Sequence, residues 1–134
     1  MNNSLLDSSS ISSIIWVVAA CFNEEAVIAS FIERTLSVQG VTRLILIDDG
    51  SCDTTVKAIR DFQKNFDHAS LNAQITLIEL TRNFGKEAAM LAGLDFAKGK
   101  CDAVILIDSD LQHPPELIGE MIQAWRNGAE IVTA

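Results

Sequence analysis

Hydrophobic residues along this chain follow two alternating patterns. Short, mainly apolar runs occupy Ile14 to Ala20, Leu44 to Ile47, Ile75 to Leu80 and Ala103 to Ile107. Their length, β-branching and polar borders predict strands buried on both faces. Between the runs, apolar residues recur every three or four positions, the spacing of one helix face. Val27, Ile28, Phe31, Ile32 and Leu36 form the first stripe, ended by Gly40. Val56, Ile59, Phe62 and Phe66 form the second, in a helix starting near Thr54. A third helix passes through Leu91 and Leu94 to Ala97 and closes at Gly99. The fourth carries Leu117, Ile118, Met121, Ile122 and Trp125, with Pro115 suited to its first turn and Gly128 at its end. Ala129 to Ala134 reads as the start of a fifth strand.

Strand and helix alternate throughout, which predicts an α/β fold: a mostly parallel, Rossmann-like sheet with right-handed crossovers and helices on both faces. Residues 1–13 hold six serines and read as a disordered tail, leaving 14–134 as one unit. A chain that stops inside its fifth strand reads as the first part of a larger catalytic domain. Its unfinished sheet edge would invite pairing with a second copy.

Composition narrows the function. With 49% hydrophobic and 21% charged residues the chain is globular, and its formal charge of −8, with no basic stripe, argues against a nucleic-acid backbone as partner. A nucleotide is not excluded, because a metal can offset its charge. The three cysteines, Cys21, Cys52 and Cys101, form no C-x-x-C pair, which argues against a zinc site or disulfide framework and for a reducing cytoplasm. The longest apolar run is far short of the ~20 residues of a spanning helix, and no Lys or Arg precedes it as in a signal peptide.

The acidic residues are not scattered. Glu24 and Glu25 follow the first strand, Asp48 and Asp49 the second, and Asp108 and Asp110 the fourth. All lie at C-terminal strand ends, hence on the sheet edge where open α/β folds bind ligands. In the strand order 3-2-1-4, the second and fourth strand ends stand roughly 10 Å apart. A nucleoside diphosphate spans that gap, with its base and ribose over the first two strands and its phosphates near the fourth. Asp108 and Asp110, one residue apart, repel each other unless a cation or proton lies between them. Such oxygen ligands favour Mg²⁺ or Mn²⁺. The bland alternative is a strand end followed by an Asp helix cap.

The remaining polar residues admit two readings each. Asp48 and Asp49 suit a base or ribose, or simply a polar turn permitted by Gly50. Asn23 and Asp53 are candidate helix caps. Arg82 and Lys86 suit phosphate or sugar hydroxyls, or a solvated helix start. Gln112 is a further oxygen ligand or a solvated side chain, and His113 an outer-shell group or merely exposed. His68 has no assigned role.

Other acid-bearing α/β classes fit less well. A haloacid-dehalogenase-type phosphatase places its D-x-D after the first strand, not the fourth. A receiver domain needs an Asp after the third strand, where this chain has Thr81-Arg82. A nucleotidyltransferase or a P-loop protein needs a glycine-rich phosphate loop, and Cys21-Phe-Asn-Glu-Glu25 contains no glycine. A catalytically incomplete nucleotide- or metal-binding module remains as the non-enzyme reading.

Four motifs in register carry a resemblance: Phe22-Asn-Glu-Glu25, Ile47-Asp-Asp-Gly-Ser51, Arg82-Asn-Phe-Gly-Lys-Glu87 and Asp108-Ser-Asp-Leu-Gln-His-Pro-Pro-Glu116. Together they resemble the family 2 glycosyltransferases of GT-A fold, most closely the polyprenyl-phosphate (dolichyl- or undecaprenyl-phosphate) sugar transferases. The resemblance covers nearly everything from Ile14 onward. It implies a metal-dependent, inverting transferase that moves a sugar from a UDP- or GDP-sugar to polyprenyl phosphate, in cell-envelope synthesis at the cytoplasmic face of the membrane. It implies base contacts at Glu24 and at Ala20 and Phe22 before it, and base and ribose contacts at Asp48 and Asp49. It further implies that Asp108 and Asp110, with Gln112, bind Mg²⁺ or Mn²⁺ on the donor diphosphate, and that Arg82 to Lys86 border the donor pocket. The chain departs from the family where Ala20-Cys-Phe22-Asn-Glu replaces Pro-x-Tyr-Asn-Glu, and where Ser109 and His113 replace the commoner Ala and Asp. Acceptor-gripping residues lie beyond residue 134 in family members, so weak or absent transferase activity is expected of this chain.

Overall fold

The computed structural model describes residues 13–66 and 73–128. The expected tail up to residue 12, His68 and the expected fifth strand lie outside them. Four parallel strands, β1 (Ile15–Cys21), β2 (Val41–Asp48), β3 (Gln74–Glu79) and β4 (Ala103–Leu106), stand in the order β3-β2-β1-β4. Between them run α1 (Ile28–Leu36), α2 (Thr55–Asn65) and α3 (Lys86–Ala97), and α4 (Leu117–Arg126) follows β4. The alternation of strands and helices is the one expected from the sequence pattern, and the sheet has the common doubly wound order 3-2-1-4.

Period-two alternation along β1 divides the core. Ile15, Val17 and Ala19 face one side with Leu44 and Leu46, where Ile28, Phe31 and Ile32 of α1, Ile59 of α2 and Ile118 and Ile122 of α4 cover them. Trp16 and Val18 face the other with Ile45 and Ile47, covered by Ala89 and Ala97 of α3. Among the described residues, therefore, three helices cover one face and α3 covers the other.

That asymmetry qualifies the expectation of strands buried on both sides. The central strands β1 and β2 meet it, but the edge strands β3 and β4 are only partly buried, and Leu106 is exposed. Helix α3 also packs differently from its sequence pattern. Leu91 points to solvent, while Ala89, Gly93 and Ala97 meet the sheet. A Cβ on Gly93 would lie 2.5 Å from Val18 Cγ1 and 2.6 Å from Ile47 Cδ1, so the missing side chain lets α3 approach this closely.

Strand register sets the functional edge. Cys21 pairs with Asp48, and Asp48 with Glu79, so β1, β2 and β3 end level. Beyond β4, the Ile107 amide still bonds to Val18 O, which delivers Asp108 to the same rim.

Candidate donor-binding cleft

The turns after β1 and β2 are built as one unit. Asn23 adopts a left-handed backbone (φ 52) and does not cap α1. Its amide donates to Ser51 Oγ, and its side-chain oxygen accepts from the Cys52 amide. The Glu24 amide donates to Thr55 Oγ1, and that of Glu25 to Asp53 Oδ2. In return, Glu25 Oε2 accepts from the Thr54 amide at the start of α2. The cap position of α2 falls on Thr54, not on Asp53 as expected; Asp53 stands one residue earlier and its Oδ1 accepts from the Thr55 amide in an Asx turn that leads into the helix. Glu25 thus serves the amino end of α2, not that of α1 as its sequence position suggests.

The two aspartates at the end of β2, Asp48 and Asp49, are buried, each 3% exposed. Asp48 turns into its own loop, accepting from the Ser51 amide at 3.0 Å and from the Ser51 hydroxyl. It is absent from the cleft lining. Asp49 does line the cleft, and its carboxylate holds the loop after β3: Oδ1 accepts from the Phe84 amide at 2.8 Å and Oδ2 from the Gly85 amide at 3.1 Å. Gly50 (φ 76) brings that loop closer still, because a Cβ there would stand 2.6 Å from both Arg82 C and Asn83 N. The physical reason for both placements is local. Buried carboxylates need donors, and the nearest are backbone amides of adjoining turns.

The loop after β4 is pinned to β1. Buried Ser109 donates from its hydroxyl to Ala20 O at 2.9 Å. On either side of Ser109, Asp108 and Asp110 line the cleft. Leu111 takes a left-handed conformation (φ 66), and the Gln112 amide donates to Asp110 Oδ1 at 3.0 Å.

These elements enclose a cleft lined by Ala20, Phe22, Glu24, Asp49, Lys86, Asp108 and Asp110, together with Cys21 and Ser109. Seven of the residues named from sequence therefore converge on one rim. Three others lie outside the lining. Asp48 is turned into its loop. Arg82 is exposed and stacks over Phe84, 4.4 Å from the ring centre. Gln112 is exposed, and only its backbone engages Asp110. Sequence reasoning missed Cys21 and Ser109 as lining residues. The alternation of β1 implies that Cys21 is buried, but its place beside Asp48 depends on strand register.

Electrostatics in the cleft are dominated by acids. Burial, with Asp110 and Asp53 nearby, raises the Glu24 carboxyl above its ordinary range. Burial, with Asp48 and Glu24 adjacent, pushes the Cys21 thiol far up, which favours its protonated form. Against these, Lys86 forms an ion pair with Asp108 Oδ1. Among the described residues no group of three or more His, Cys, Asp or Glu side chains forms a self-sufficient metal cage. Two carboxylates on a solvent-open rim fit Mg²⁺ or Mn²⁺ nonetheless, because these ions often take one or two carboxylates and draw their other ligands from water and substrate phosphates.

Comparison with known proteins decides the family. The model of glycosyl transferase family 2 matches residues 16–134. The chain belongs to glycosyl transferase family 2. Within that family it is 40% identical over 122 residues to the bactoprenol glucosyl transferase of Shigella phage SfV, covering 88% of this chain and 37% of the relative. It is 38% identical over 120 residues to the undecaprenyl-phosphate 4-deoxy-4-formamido-L-arabinose transferase of Aeromonas hydrophila, covering 87% of this chain and 35% of the relative. The chain thus spans little more than a third of the length of these relatives. Among solved structures, a mannosyltransferase from Pyrobaculum calidifontis in complex with GDP-Man and Mn²⁺ superposes with a TM-score of 0.68 at 22% identity, over 85% of this chain and 32% of that one. Glucosyl-3-phosphoglycerate synthase from Mycobacterium tuberculosis, in complex with Mn²⁺, UDP and phosphoglyceric acid, gives 0.65 at 26% identity, over 96% of this chain and 44% of that one. The fold is the GT-A fold of this family.

Proposed function

We propose that this chain carries the donor-binding part of an inverting glycosyltransferase that moves a sugar from a nucleotide sugar to polyprenyl phosphate. The observation that carries the reading is the convergence of Asp108, Asp110, Glu24, Asp49 and Lys86 on one cleft at the C-terminal rim. Two features of other proteins support its details. Relatives named for bactoprenol and undecaprenyl phosphate point to a lipid-phosphate acceptor, and neighbours solved with GDP-Man or UDP and Mn²⁺ point to a nucleotide-sugar donor with a divalent cation.

In this reading Asp108 and Asp110 hold Mg²⁺ or Mn²⁺. The ion, when bound, supplies charge compensation for the departing diphosphate. Ala20, Phe22 and Glu24 border the base, while Asp49 fixes the wall opposite. Lys86 meets the diphosphate. Asp48 and Ser109 act by shaping the turns that present these groups. Transfer forms a bond from an acceptor oxygen to the anomeric carbon as the bond to the diphosphate breaks on the opposite face, and its electron pair leaves with the nucleoside diphosphate. A lipid phosphate is already anionic, so the step needs no strong general base. Among the described residues no helix is long and apolar enough to cross a membrane. An acceptor of this kind would place the reaction at the cytoplasmic membrane face.

Calorimetry with UDP, GDP and their sugars, with and without Mn²⁺, tests the reading. Metal-dependent binding of one nucleotide class is expected. Binding of none of them, or binding indifferent to metal, would favour a bare α/β scaffold instead.

A further inference from the structure

Lys86 stands where helix electrostatics disfavour it. It is the first residue of α3, and the amino end of a helix favours anions. Glu87 beside it obeys that rule. Lys86 instead sends its ammonium across the cleft to Asp108, which belongs to the loop after β4. Its starting point is fixed, because Asp49 holds the two preceding amides and Gly50 presses on the same loop. The pair itself stays open to water, with side-chain exposures of 62% for Lys86 and 30% for Asp108. Such a pair opens at little cost, since exposed ion pairs are weak and neither partner is left buried and alone.

Asp108 therefore carries its own counter-ion at the position where a divalent cation would sit. We propose that Lys86 is a resident counter-ion that a divalent cation displaces from Asp108, and that the freed ammonium then takes the donor diphosphate. This rests on the donor-site reading above and adds an order to it. Metal alone competes with Lys86 for Asp108. Nucleotide alone meets an acidic cleft whose cation is already engaged. With both present, the metal takes the carboxylate and Lys86 takes the diphosphate, so each strengthens the binding of the other.

The test is Mn²⁺ binding to the full chain, followed by the electron paramagnetic resonance signal of the free ion, with and without saturating UDP or GDP. In the unmodified chain, nucleotide should tighten Mn²⁺ binding. Lys86→Met should tighten bare Mn²⁺ about two- to five-fold, the equilibrium equivalent of losing a weak exposed pair. The same variant should weaken Mn²⁺–nucleotide binding. Lys86→Arg, which keeps the charge, should leave bare Mn²⁺ binding no tighter than in the unmodified chain. Opposite signs for Lys86→Met in the two titrations support the exchange. Equal or weaker bare Mn²⁺ binding in Lys86→Met, or tightening in both titrations, overturns it. Failure of the unmodified chain to bind any Mn²⁺–nucleotide pair would sink the donor-site reading itself. Intact Mn²⁺–nucleotide binding that Lys86→Met leaves unchanged would sink only the exchange. Should Lys86→Met not fold, the unmodified chain still decides: Mn²⁺ affinity indifferent to nucleotide contradicts the proposal.

Discussion

Asp49 Oδ1 accepts a 2.8 Å hydrogen bond from the backbone N–H of Phe84, joining the end of β2 to the loop after β3. The other oxygen takes the next amide, that of Gly85. A carboxylate at the ligand-binding edge is thus occupied in holding the wall of the cleft. Replacing it tests that assignment. Asp49→Ala should cost about 3 kcal/mol or more in denaturant unfolding, since each bond to a charged acceptor contributes about 1.5–3 kcal/mol and two amides lose theirs. Asp49→Asn, which keeps one acceptor oxygen, should cost less. A variant as stable as the parent would mean that the loop holds without the clamp.

The close approach of α3 to the sheet gives a paired expectation. Gly93→Ala places a methyl 2.5 Å from Val18 Cγ1, and Val18 has little freedom to move. Overpacking of this kind costs about 1–3 kcal/mol, which outweighs the roughly 1 kcal/mol that alanine gains over glycine in a helix. Gly119→Ala in α4 meets nothing nearer than Val38 Cγ1 at 3.9 Å, so there the helix gain should appear alone. Thermal melts should move in opposite directions. A shift to higher temperature in both would show that α3 is not tightly seated.

A pH-dependent contribution comes from the pair that ties α1 to the segment after β4. Arg34 Nε donates to Glu116 Oε2 at 2.9 Å, and a second guanidinium nitrogen meets Oε1. The hydrogen-bonded guanidinium lowers the Glu116 carboxyl below its ordinary range. A lowered folded value means that the unfolded chain binds the proton more readily. The stabilisation is therefore present above the ordinary carboxylate range and is lost as pH falls through the lowered value. Arg34→Met should be less stable than the parent at neutral pH, and the difference should vanish in strong acid. Denaturant titrations at neutral and low pH measure it. A gap that persists undiminished in acid would assign the effect to packing of the arginine stem.

Much of this architecture was legible in the sequence because it rests on local pattern. Continuous apolar runs gave β1 and β2, the stripes gave α1 and α4, and acids after each run marked the rim. Pattern could not say where a carboxylate finds its donors. Asp48 and Asp49 read as ligand groups, yet both bond to turns, and the partners of Asp49 lie 35 and 36 residues away. Asn23 reads as a cap for α1, but the amide of Cys52 lies within reach once β1 and β2 pair, and it takes the side chain. The third helix reads through Leu91, but nothing in its pattern shows that Leu91 faces solvent while the small residues of α3 permit a closer helix–sheet approach than leucine would. The pairing of Lys86 with Asp108 likewise depends on β1 standing between β2 and β4, a property of the assembled sheet.

The central claim is that the acids after β4 hold a cation against the donor's diphosphate. Titrating the preferred nucleotide into the chain and into Asp110→Ala, each with and without Mn²⁺, tests it most directly. Asp110 lines the cleft but is not part of the core, so the variant should fold. The account predicts that Mn²⁺ strengthens nucleotide binding in the parent and that Asp110→Ala abolishes the gain. An undiminished Mn²⁺ effect in Asp110→Ala would contradict it.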